Sequence, residues 1–225
     1  MTTSPTSSSN SELDALVASN LSEIRSRIAD TGRDVHSVRV VAVTKTFGPE
    51  AIVAAVANGL THVGENYVSE LIEKHESLRD IEVQWEFLGA IQTNKVSKIA
   101  NYADVVTTLS RVSEVESFAK RGATNRFYLQ VDFTGNDGRN GAPERDIPKL
   151  CTLARESGLL VSGLMTIASP NPREAELAFR SMAALADELQ LPDRSMGMTD
   201  DFEAACRAGS TELRLGRALF GARKS

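Results

Sequence analysis

In the stretch VRVVAVTKTFGPE, residues 38–50, a run of apolar residues finishes on Lys45 between two threonines. A primary amine in that position can attack a carbonyl and hold it as a Schiff base, provided apolar walls depress its pKa enough to leave part of it uncharged. A solitary strand-end lysine more often snorkels into water, so the reading depends on what converges on it. Near the C-terminus, GSTELRLGRALFG puts Arg214 and Gly216 two residues apart, on one face of a strand. Gly216 and the backbone N–H of Arg217 open a turn of the type that binds phosphate, and Ser195 in SMGM supplies a hydroxyl. Arg214 keeps its proton near neutral pH, so facing a ring nitrogen it would donate a hydrogen bond and leave that nitrogen unprotonated. A salt bridge to Glu212 or to a helix carboxylate is the plainer alternative.

These residues need elements to position them. Val38, Val40, Val41, Ala42 and Val43 read as a strand covered on both faces. From there strands and helices alternate: strand 38–45, helix 49–58, strand 62–66, helix 67–78, strand 83–89, a short helix from Thr93, strand 104–109, helix 112–121 and strand 126–133. The pattern continues with helix 144–157, strand 159–168, a helix from Pro172 to about Leu189, a short strand 195–198, helix 200–208 and a last strand within 212–221. Eight strand–helix units predict a (β/α)8 TIM-type barrel rather than an open doubly wound sheet. Ahead of them Ser9 and Glu12 have capping-box spacing, and Leu13, Leu16, Val17, Leu21, Ile24 and Ile28 form one stripe ending before Gly32, which predicts an extra N-terminal helix. Residues 1–10 read as a disordered tail and 11–225 as one barrel domain.

In such a barrel the informative residues sit at the strands' carboxyl ends: Lys45, Glu65 and Asn66, Gly89 and Gln92, the loop FTGNDGRNG, Met165, Ser195 to Met198, Arg214 and Gly216. A Schiff-base lysine there suits either a carbonyl substrate, as in an aldolase, or pyridoxal phosphate, which needs a phosphate cradle and a group facing its ring nitrogen. The glycine-rich loop 134–141 reads as a mobile cover. Asp200 and Asp201 read as acids favouring a helix start, Met196 and Met198 as packing residues, Trp85 and Phe87 as core, and the terminal GARKS as a chance echo of a P-loop.

The formal charge of -5 argues against a nucleic-acid binder. Two cysteines make neither a disulfide framework nor a thiolate site, and His36, His62 and His75 lack ligand spacing, so no metal is expected. Without a span of roughly 20 apolar residues or a signal peptide, the sequence reads as cytoplasmic, with no membrane partner.

Six motifs in order, AVTKT, HVGENYVSE, WEFLGAIQTNK, GLMTIA, SMGMTDDFEAA and GSTELRLGRALFGAR, resemble the pyridoxal phosphate homeostasis protein family, whose fold is similar to the barrel domain of alanine racemase. The resemblance spans about residues 38–222. It implies that Lys45 holds pyridoxal phosphate as an internal aldimine, with Ser195, Gly216 and Arg217 at the phosphate, Arg214 at the pyridine nitrogen, and Asn66 and Met198 in the cofactor site. Thr199 stands where the family more often has serine, and Arg139 where it often has lysine; the connection before Ser195 is short. The implied function is non-enzymatic, with no catalytic residue: the cofactor is buffered and passed to pyridoxal phosphate-dependent apo-enzymes. A racemase of related design needs a second base from another domain or chain, which is not expected here. A racemase with a partner-supplied base, or a Schiff-base aldolase, is the alternative. With no apolar stripe left over after barrel closure, a monomer is expected.

Overall fold

The structure, a computed structural model, describes residues 6–135 and 140–222, and of residues 6–10 the backbone alone. After helix α1 (Thr6–Asp30), strands β1 (Arg39–Val43), β2 (His62–Glu65), β3 (Gln84–Phe87), β4 (Val105–Leu109) and β5 (Arg126–Asp132) follow, then a two-residue strand β6 (Ala142–Pro143), β7 (Leu160–Thr166), β8 (Asp193–Ser195) and β9 (Glu212–Leu215). The order β4-β3-β2-β1-β9-β8-β7-β5, closed by pairing of β4 with β5, is an eight-stranded parallel barrel, and β6 extends it beside Val131 and Asp132. Helices α2 (Pro49–Ala57), α3 (Val68–Ser77), α4 (Val96–Tyr102), α5 (Val112–Ala119), α6 (Ile147–Glu156), α7 (Pro172–Glu188), α8 (Phe202–Arg207) and α9 (Arg217–Phe220) lie between or after the strands.

The sequence builds these elements by familiar means. In α7, Pro172 occupies the first turn, the Asn171 side chain accepts from Arg173 N–H at 3.0 Å, and Ala175, Phe179, Met182 and Ala186 form the buried stripe. The layer between strands and helices is the main core; there Phe118 of α5 meets Phe127 of β5 edge-on with ring centroids 4.9 Å apart. Trp85 and Phe87 are buried in this layer, as are the free thiols of Cys151 and Cys206. Burial pushes the Cys206 thiol up to about 11, beyond useful reactivity. Helix α1 packs Val17, Leu21, Ile24 and Ile28 against the barrel and touches α2 and α9, while Leu16 on its flank stays exposed. Among the described residues no helix is long and apolar enough to cross a membrane.

Two boundaries differ from expectation. Helix α1 is already under way at Thr6, so Ser9 lies inside it rather than capping it. The tail expected at 1–10 falls in part on residues 1–5, outside the described residues. The seventh barrel strand is Asp193–Ser195, not 195–198: the short connection itself supplies the strand, pairing Asp193, Arg194 and Ser195 with Gly163, Leu164 and Met165. Gly197, at φ 100°, then turns the chain out of the sheet, a backbone state glycine adopts without penalty.

Side chains alternate across each strand, and the inward set carries charge. Glu86 of β3 meets His62 Nδ1 at 2.9 Å, while Glu212 of β9 accepts from Arg39 at 2.7 Å and from the Tyr128 hydroxyl at 3.1 Å. The second oxygens, Glu86 Oε2 and Glu212 Oε1, have no partner among the described residues. Burial, reinforced by Glu212, pushes Glu86 well above the usual carboxylate range, and burial with Arg39 and Arg126 pulls His62 down to about 4. Both shifts act in one direction, favouring a neutral imidazole against a carboxylic acid. At Gly89, a Cβ would fall 2.1 Å from the backbone oxygen of Asn66, so only glycine lets the chain after β3 approach the end of β2.

Two outcomes follow from this interior. Because folding raises the Glu86 pKa, the folded state keeps a proton that the unfolded chain releases, so this contribution to stability is present below the ordinary carboxylate pKa and is lost as pH rises through the raised Glu86 pKa, by at most about 1.4 kcal/mol per pH unit. Urea titrations run upward from the ordinary carboxylate pKa should show the parent losing stability relative to Glu86→Gln as pH rises; parallel profiles would refute the assignment. Gly89→Ala should lower stability by roughly 1–3 kcal/mol through overpacking against Asn66, read from its denaturation midpoint.

Candidate functional site

The strand ends bring most of the expected residues into one place. Val41 faces the barrel axis, paired in register with Arg214, so alternation carries Val43 and Lys45 to the same side and turns Thr44 toward the helices. The chain bends directly after β1: Phe47 N–H donates to Thr44 O at 3.0 Å, and Thr46 adopts φ 68°, a left-handed state that costs a β-branched residue energy. Lys45 consequently lines a cavity of about 200 Å³ at the barrel mouth, together with Asn66, Met198, Arg214, Gly216 and Arg217. Six of the seven candidate cofactor residues thus share one cavity.

Ser195 is the exception. Its side chain is fully buried beneath the cavity, where its hydroxyl and carbonyl oxygens both accept from Arg214 Nη1 at 2.8 Å. The expectation that Ser195 faces a phosphate is corrected: with β8 starting at Asp193, Ser195 is an interior strand residue, and the hydroxyl-bearing residue that lines the cavity is Thr199. Arg214 Nη2 donates to Thr166 O at 2.7 Å, so three of the five guanidinium N–H bonds go to oxygens of β7 and β8 and two remain. The plainer reading of Arg214 as a salt-bridge partner is not realised: among the described residues its guanidinium meets neutral oxygens and forms no ion pair with Glu212 or a helix carboxylate. Burial pulls the Arg214 pKa down, and Glu212, Asp201 and Glu86 oppose that pull.

The remaining members are placed by turns. Asn66 directly follows β2, while the N-cap of α3 is Tyr67, so Asn66 is a cavity residue and not a helix cap. Gly64, two residues earlier and inward-facing, leaves room for Leu88, which joins the cavity wall. Met198 is fixed through its N–H, which donates to Asp201 Oδ1 at 2.6 Å; Asp201 stands at the N-cap position of α8 but spends its carboxylate on this turn. Burial raises the Asp201 pKa. At Gly216 a Cβ would sit 3.1 Å from Val43 O, so glycine keeps the start of α9 tight against β1. The first N–H groups of α9 have no intrahelical acceptor, and the Arg217 side chain turns to Asp200, Nη2 to Oδ2 2.6 Å.

Sequence reasoning missed Phe47, Leu88, Ile167 and Asp200 as lining residues. Leu88 was legible, being two residues after inward Glu86. Asp200 was passed over as a helix-opening acid, and nothing in the sequence marked Phe47 or Ile167. Gln92, counted among the strand ends, does not line the cavity. Arg139 and much of the expected loop cover, and Arg223 to Ser225 of the terminal GARKS, lie outside the described residues. Among the described residues, no three His, Cys, Asp or Glu side chains are grouped to hold a metal.

Comparison with known proteins places the chain in a family. Residues 14–224 match the family model described as alanine racemase, N-terminal domain. The chain is 33% identical over 217 residues to the pyridoxal phosphate homeostasis protein of Aquifex aeolicus, covering 91% of this chain and 95% of that one. It is 34% identical over 220 residues to the protein of the same name from Pseudomonas aeruginosa, covering 92% and 96%. PipY of Synechococcus elongatus, solved with pyridoxal phosphate bound, superimposes with a TM-score of 0.78 at 30% identity, covering 91% of this chain and 100% of PipY. The barrel and these relatives lead to one assignment: the chain belongs to the alanine racemase N-terminal domain family and, inside it, to the pyridoxal phosphate homeostasis proteins.

Proposed function

We propose that the protein holds pyridoxal phosphate on Lys45 as a Schiff base, keeps the reactive aldehyde out of solution, and yields it to pyridoxal phosphate-dependent apo-enzymes without catalysing a reaction of its own. The observation that carries this reading is the convergence of Lys45, Arg214 and the Gly216–Arg217 turn on one cavity of about 200 Å³. When bound, the cofactor supplies an aldehyde that amines capture and exchange reversibly. The rest of the binding chemistry belongs to the chain. Val43, Leu88 and Met165 give the cavity apolar walls suited to a ring. The Thr199 hydroxyl and the opening of α9 suit the phosphate, at the position where barrels of this class hold one.

Arg214 sets the character of the site. Locked by Ser195 and Thr166, it can only donate hydrogen bonds, so a ring nitrogen opposite it stays unprotonated and the ring is a poor electron sink. That favours holding over carbanion chemistry, in line with the homeostasis role named for the relatives. Asn66 and Met198 complete the ring's surroundings in this reading, and the protein acts as a cytoplasmic monomer.

Borohydride reduction after incubation with pyridoxal phosphate should add one cofactor mass to the parent and none to Lys45→Ala, with the visible absorbance lost in parallel. Equal labelling of both proteins would overturn the reading, as would labelling by a sugar phosphate alone. In deuterated water the loaded protein should leave the α-hydrogen of L- and D-amino acids unexchanged; rapid exchange would mean a racemase.

A further inference from the structure

Behind Lys45 lies a polar cluster that the cavity does not use. Thr44 and Glu65 point from the ends of β1 and β2 into the strand–helix layer, where Lys74 of α3 meets them, and Glu65 and Lys74 are nearly inaccessible, at 0% and 4% exposure. Lys74 Nζ donates to Glu65 Oε1 at 2.7 Å, to Glu70 Oε2 at 3.0 Å and to the backbone oxygen of Thr44 at 2.8 Å. The Thr44 hydroxyl donates to Glu65 Oε1 at 2.6 Å, and Glu70 Oε2 accepts from Thr46 N–H at 2.8 Å. Charges buried in an otherwise apolar layer are a poor source of stability, because desolvation offsets their attraction. An apolar set could fill the same space. What it could not do is bond Thr44 O and Thr46 N–H, the two backbone groups that bracket Lys45, the second belonging to a residue in the left-handed state.

We infer that Glu65, Glu70 and Lys74 are positioning residues: they clamp the backbone on both sides of Lys45 and thereby fix where its amine stands in the cavity. The inference rests on the proposed role of Lys45. Lys74 holds the residue before it, Glu70 the residue after it, and Lys74 ties Glu70 to Glu65, so the clamp acts as one unit. None of the three side chains lines the cavity, which separates them from the groups that would touch a ligand.

Glu70 gives the sharpest test, since its side chain is partly exposed on a helix and Lys74 keeps Glu65 as a partner without it. Glu70→Ala removes the acceptor for Thr46 N–H, Glu70→Gln keeps one, and Thr46→Gly makes the left-handed backbone free of strain. In the ligand-free protein, amide hydrogen exchange should find Thr46 N–H protected in the parent and in Glu70→Gln, and exposed in Glu70→Ala. With pyridoxal phosphate, the rate of borohydride-reducible attachment at Lys45 should fall about tenfold in Glu70→Ala, as expected for loss of a hydrogen bond to a charged group. It should stay within about threefold of the parent in Glu70→Gln and be largely recovered in Thr46→Gly/Glu70→Ala. Parent-like protection and attachment in Glu70→Ala would overturn the clamp, and so would equal slowing in Gln and Ala variants without recovery by Thr46→Gly. Failure of the parent itself to attach the cofactor at Lys45 would instead defeat the underlying assignment of that lysine.

Discussion

The alternation of side chains along β1 is the constraint on which the site depends. A parallel strand enclosed on both faces offers its last residues either to the barrel axis or to the surrounding helices. Val41 and Val43 fix the parity, Lys45 inherits the axial side, and Thr44 takes the helical side. A slip of one residue would reverse all four and send the amine into the helix layer. The register is held along β1 by pairing with both neighbours, Val41 to His62 and to Arg214, and at its end by Thr44 N–H on Gly64 O at 3.0 Å. The placement of Lys45 opposite Arg214 is thus a property of the closed sheet.

Much of this was legible in the sequence because period-two and period-3.6 patterns report local burial. The eight units and the strand leading to Lys45 came from such patterns and the barrel realises them, with β1 itself ending two residues earlier than expected, at Val43. Ser195 shows where that reading stops. SMGM looks like a strand by its apolar character, yet the strand is made by DRS, whose charged residues pair outside the apolar core: Arg194 reaches Asp187, and Asp193 lies near Arg39. Register is a long-range property, set here by Gly163 accepting the close approach of Asp193, and a local window does not contain it. The Lys74 cluster was hidden for the same reason, since Glu65 and Thr44, 9 and 30 residues from Lys74, meet it only after β1, β2 and α3 are packed.

Charge placement completes the picture. The chain carries a net -5, yet the cavity at the barrel mouth is lined by Lys45, Arg214 and Arg217 with Asp200 as the acid among them. A local cationic site inside an acidic protein favours a compact dianion over polyanions such as nucleic acid, which would meet repulsion across the wider surface. The Asp200–Arg217 pair is solvent-exposed on both sides, so screening makes it weak and Arg217 is not lost to an anion arriving at α9. Arg214 differs because its partners are neutral oxygens and its charge is balanced at a distance by Glu212 and Asp201. A cation supported in that way keeps its hydrogen-bonding capacity toward the cavity, whereas a direct ion pair with Glu212 would have consumed it. The pairing of Glu212 with Arg39 at the opposite end of the barrel is therefore part of the site's design: it supplies negative potential beneath Arg214 without occupying its donors.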